Sequence, residues 1–104
     1  MLDFSGNDQK AKLVALHYAN QFDDLITIEL IENKREVTDK DEARKLAEFY
    51  WKMLDASAED QENGVKVLGE VGLQYWMERL LNIVGGYLSS IGYEDEWNKV
   101  CDEI

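Results

Sequence analysis

The feature that most constrains this chain is the stretch Leu73–Ile91, where Leu73, Trp76, Met77, Leu80, Leu81, Val84, Tyr87, Leu88 and Ile91 recur at steps of three and four. At about 100° per residue these positions cover one broad side of a helix. Gln74, Glu78, Asn82, Gly85 and Ser89 collect on the other side. So wide an apolar stripe suits a helix contacted by more than one neighbour, and the rest of the chain is expected to pack around it.

The flanking segments repeat the same period. Ser5 and Asn7 are both suitable N-caps, with Ser5-x-x-Asp8 resembling a capping box, and a first helix is expected from about Asp8. Ala11, Val14, Ala15, Tyr18, Ala19, Phe22, Leu25 and Ile26 give it one apolar face. Met1–Asn7 reads as a flexible lead, from which Leu2 and Phe4 could tuck onto the core. Thr38, with Asp41 three residues on, starts a second helix over about Asp39–Ala56. Ala43, Leu46, Ala47, Tyr50, Met53 and Leu54 form its buried stripe. Trp51 falls at the edge of that stripe and Phe49 outside it.

Two segments admit two readings. In Asp24–Glu32, Ile26, Ile28 and Leu30 alternate with Thr27 and Glu29, as in a strand that could return through Asn33-Lys34 as a hairpin over residues 25–38. The alternative extends the first helix to about Ile31. It is preferred, because a lone hairpin is marginal without a third strand. Val65–Gly72 is also ambiguous, with alternating valines but three glycines in the nine residues 64–72, each costing a helix about 1 kcal/mol against alanine. Asp55–Gly64 carries four acids and no base and is the expected loop, with Ser57-x-x-Asp60 able to cap a further helix. Gly92 suits a helix stop, and Glu94–Ile104 suits a short last helix with Trp97, Val100, Cys101 and Ile104 on one side. The expected fold is all-α, a compact bundle of three to four helices in one domain over residues 1–104.

Composition enters where function does. Twenty-two acids against eleven bases give a formal net charge of −11. That balance disfavours nucleic acid phosphates and anionic lipid, and favours basic protein surfaces. Lys34-Arg35 and Arg44-Lys45 are the only adjacent bases, both flanked by acids, so direct nucleic-acid binding is not expected. No apolar run approaches the roughly 20 residues of a membrane span. Met1–Gly6 has neither a basic start nor an apolar run, and Cys101 has no second cysteine to pair with, so a reduced, cytoplasmic protein is the expectation.

Motifs for chemistry are missing. His17 is the single histidine and lies off the core stripe of its helix, and no zinc-ligand spacing occurs. Cys101 has no histidine nearby in sequence, none of Ser5, Ser57, Ser89 and Ser90 sits in a nucleophile elbow, and Gly85-Gly86 lacks the lysine of a phosphate loop. No enzyme activity, cofactor or metal is expected. What remains is a protein that binds and modulates another protein of basic surface, as inhibitors, antitoxins, immunity proteins and phage accessory proteins do. Glu59, Asp60, Glu62, Glu94, Asp95 and Glu96 are the candidate acids, and Phe49 and Trp51 the candidate apolar contacts. In the sharpest version the acids imitate nucleic acid phosphates. The alternative is a homo-oligomeric structural or assembly protein, a homodimer for instance, burying Phe49, Trp51, Trp97 or the glycine face between copies.

Overall fold

The computed structural model describes residues 2–4, 6–62 and 73–103. Those residues form a short 3₁₀ turn (Gly6–Asp8) and five helices: α1 Gln9–Gln21, α2 Leu25–Glu32, α3 Lys40–Glu62, α4 Leu73–Ser90 and α5 Glu94–Glu103. No strand occurs among them. The all-α expectation holds, with five helices in place of three or four. The expectations for Val65–Gly72, for the Ser5 cap and for Ile104 lie outside the described residues.

The extra helix arises from a break at Phe22–Asp24, where one continuous helix was expected. Asp23 adopts a left-handed conformation (φ 54°). Its amide then bonds the Asn20 carbonyl at 3.2 Å, and the Asp24 amide bonds the Ala19 carbonyl at 2.9 Å. This is a Schellman closure, which satisfies the last carbonyls of α1. Asp24 at once becomes the N-cap of α2, its carboxylate accepting from the Thr27 amide at 3.1 Å. Two adjacent aspartates thus end one helix and begin the next. The apolar alternation that imitated a strand is a two-turn helix, with Thr27, Leu30 and Ile31 buried and Ile26 and Ile28 half-buried. The redirection also overturns the expected place of Leu25 on the core face, since it is 74% exposed.

The second correction concerns Asp55–Glu62, expected as loop and found as the last two turns of α3. Ser57 does not cap a helix there. It is buried in the helix interior, with its hydroxyl bonding back to the Leu54 carbonyl at 2.8 Å. The capping box at the start of α3 is shifted by one residue. The Asp39 carboxylate accepts from the Glu42 amide at 2.9 Å, and Glu42 reaches back to the Thr38 amide at 3.0 Å.

The apolar stripes are buried largely as their spacing requires. Ala11, Val14, Ala15, Tyr18 and Ala19 of α1 meet Ala43, Leu46, Ala47, Tyr50 and Met53 of α3 and Trp76, Met77, Leu80, Val84 and Leu88 of α4 in one core. Leu2 and Phe4 tuck onto it. The hub is α3, which packs against all four other helices, whereas α4 packs against α1, α3 and α5. Length explains the shift: with 23 residues α3 spans about 35 Å at 1.5 Å per residue. Gly92 (φ 89°) stops α4 by a second Schellman closure, in which the Tyr93 amide bonds the Leu88 carbonyl at 2.8 Å.

Candidate functional site

The acids named from sequence fall into two groups. Glu59 and Glu62 are exposed at the C-terminal end of α3, and Glu94 and Asp95 are exposed at the N-terminus of α5, while Glu96 is half-buried. Arg44 of α3 contacts Glu103 of α5, and Trp51 stacks on Trp97, so the two helices run antiparallel. The C-terminal acids of α3 and the first-turn acids of α5 therefore point toward the same end of the molecule.

Asp60 has a different occupation. It is half-buried, and the hydroxyl of the fully buried Tyr18 donates to it at 2.7 Å, joining α1 to the end of α3. Burial first, and then this carboxylate, push the Tyr18 hydroxyl well above its ordinary pKa.

The two apolar candidates are also engaged internally. Phe49 is 3% exposed, packed edge-on against Phe22 at 6.1 Å between centroids, although it falls outside the expected stripe. Period alone misplaced it, because α3 has neighbours on several sides and buries more than one stripe. Trp51 is half-buried and stacks on Trp97 with centroids 6.2 Å apart and planes 27° from parallel. Tyr50 joins this cluster, 5.7 Å from Trp97.

Charge is organised by pairing. The Arg35 guanidinium forks onto both Glu42 oxygens at 2.9 Å and lies 3.0 Å from Glu29. Arg35, followed by the Thr38 amide, holds the Glu42 carboxyl down at about 2. Arg44 pairs with Glu48 at 3.1 Å and with Glu103, and Arg79 bonds Asp8 at 2.9 Å. All three arginines of the chain are thus bound to its own carboxylates. The exposed acids at the ends of α3 and α5 keep their charge facing solvent.

No arrangement for chemistry assembles among the described residues. His17 is exposed, its ring edge-on to Tyr18 at 4.9 Å. The Ser90 hydroxyl bonds the Tyr87 carbonyl at 2.7 Å, as Ser57 bonds Leu54. No three His, Cys, Asp or Glu side chains gather as a metal ion would require. No helix there is long and apolar enough to cross a membrane.

A further surface lies between α4 and α5. It is a shallow groove of about 390 Å³, with Leu81, Gly85 and Gly86 on one side and Glu94, Trp97 and Asn98 on the other. The Trp97 ring lies on Gly85 so closely that a Cβ there would sit 3.2 Å from it. Gly85 is therefore explained by a close helix approach. Gly86 is not: it is exposed, and a Cβ there would meet nothing within 4 Å. A mid-helix glycine costs about 1 kcal/mol against alanine, and no internal contact offsets that cost at Gly86. The Gly85-Gly86 pair, which marks a close helix contact or a kink, is the signal the sequence offers for this surface.

The sequence matches no protein-family model, and comparison with curated proteins and with solved structures finds no significant similarity.

Proposed function

We propose that this chain is a small, non-enzymatic acidic protein that acts in the cytoplasm by binding and modulating another protein through that protein's basic surface. The observation that carries this reading is the pairing pattern. The formal charge is −11, all three arginines are bound to carboxylates of the same chain, and Glu59, Glu62, Glu94 and Asp95 are exposed at helix ends. A net negative field, with the three arginines paired internally, accelerates encounter with an oppositely charged surface and suppresses encounter with acidic ones. The same field opposes direct contact with nucleic acid or anionic lipid. An inhibitor, antitoxin, immunity protein or phage accessory protein has these requirements, and none of them needs a catalytic centre.

The test is capture on immobilised protein from a lysate of the source cells at low salt, followed by a salt gradient. A stoichiometric basic protein, released by salt and retained poorly by a Glu59→Gln, Glu62→Gln, Glu94→Gln, Asp95→Asn variant, is the expected result. Equal retention of the same proteins by the variant would overturn the reading.

A further inference from the structure

We infer that the α4–α5 groove is the contact surface for a basic amphipathic helix of the partner, seated with its backbone over Gly86 and its apolar side chains against Leu81 and Trp97. This rests on the function proposed above and names the site and the partner's chemistry. The groove has the composition such a helix needs. Its floor is apolar and low: Leu81 is 38% exposed although most of its helix stripe is buried, and Trp97 is half-buried. At Gly86 nothing stands between the α4 backbone and an approaching chain. Bare backbone of this kind lets another helix come closer than any side chain would allow.

Charge complementarity selects the occupant. Among the described residues Glu94 is the only charged one lining the groove, and Asp95 is exposed beside it. Asp102, exposed one turn beyond Asn98, continues the groove-facing row of α5. Of the cations of α4 and α5, Arg79 is bonded to Asp8, and Lys99 is exposed and does not line the groove. Lysines or arginines flanking a short apolar patch would therefore meet acids at both ends of the groove. A second copy of this chain brings a formal −11 of its own to the same rim and is disfavoured.

The probe is a synthetic helical peptide with a leucine face flanked by lysines, titrated into the isotopically labelled protein. Amide shifts are expected to concentrate at Leu81, Gly86, Ser89, Glu94 and Asn98. Gly86→Gln fills open space and improves helix propensity, so it blocks the groove without unfolding the protein. It should weaken binding about tenfold, the loss of one well-packed contact region, with the thermal midpoint unchanged or raised. Asn98→Lys, at an exposed position of α5, should weaken binding by at least about threefold through like-charge repulsion.

Shifts confined to the Glu59–Glu62 end, or affinity indifferent to both substitutions, would overturn the groove while leaving the proposed function standing. A concentration-dependent dimer abolished by Gly86→Gln would assign the groove to a second copy and overturn the basic-helix proposal. The proposed function itself is tested by capture of the partner and its salt dependence, not by this titration, so the two failures are distinguishable.

Discussion

Glu42 accepts four hydrogen bonds, two from Arg35 and two from the Thr38 amide and hydroxyl, and so ties the segment before α3 to its first turn. Its folded pKa lies at about 2 against an ordinary 4.5. A depressed carboxylate contributes stability that is fully present above the unfolded pKa and is lost as pH falls through the folded one. Glu42→Gln should therefore cost on the order of 1 kcal/mol at neutral pH, a cap combined with a solvent-screened ion pair. The difference from wild type should shrink between pH 4.5 and about 2, read by urea unfolding at several pH values. A gap that stays constant down to pH 2 would remove Glu42 from the acid limb.

The glycines give a second contrast at this scale. Gly86→Ala should stabilise by up to about 1 kcal/mol, because α4 gains helix propensity and nothing is displaced. Gly85→Ala gains the same propensity but forces the Trp97 ring away from a 3.2 Å contact, and should be at least about 1 kcal/mol worse than its neighbour. Equal midpoints for the two variants would mean that Trp97 yields freely.

At the scale of elements, helix boundaries here are set by pairs of adjacent residues. Asp24→Ala removes the N-cap of α2 and should cost about 1 kcal/mol in thermal or urea unfolding. A loss near zero would show that packing of Leu30 and Ile31 alone holds α2 in place. The faces of α1, α3 and α4 were legible because each carries a row of core residues at steps of three and four. The break at Phe22–Asp24 was not, because a left-handed aspartate is as rare a helix stop as a glycine is a common one. Asp55–Glu62 was misread for a related reason. Its acids and its serine are loop-forming by composition, but Ser57 is held inside by Leu54 and Asp60 by Tyr18, a residue 42 positions away. Contacts at that separation leave no local trace.

At the scale of the molecule, one core joins α1, α3 and α4, with Trp76 6% exposed within it. Trp76→Ala should cost about 3–5 kcal/mol, a large share of the stability of a domain this small. A loss under about 1 kcal/mol would place Trp76 outside the cooperative core. The candidate site was legible only in part. Net charge and the helix-end acids could be read from composition and position, whereas the internal roles of Phe49, Trp51 and Asp60 and the bare backbone at Gly86 emerge only from packing.

The central claim is that exposed acids at the ends of α3 and α5 capture a basic surface by long-range attraction. The direct measurement is the affinity for the captured partner from about 50 to about 300 mM salt, for wild type, Glu59→Gln/Glu62→Gln and Glu94→Gln/Asp95→Asn. Asp60 stays intact in these variants because it bonds Tyr18. Wild-type binding should weaken steeply with salt, and each variant should bind more weakly at low salt with a shallower slope, mostly through slower association. Equal affinities and equal slopes in all three proteins would contradict the account and leave these acids with solubility as their sole role.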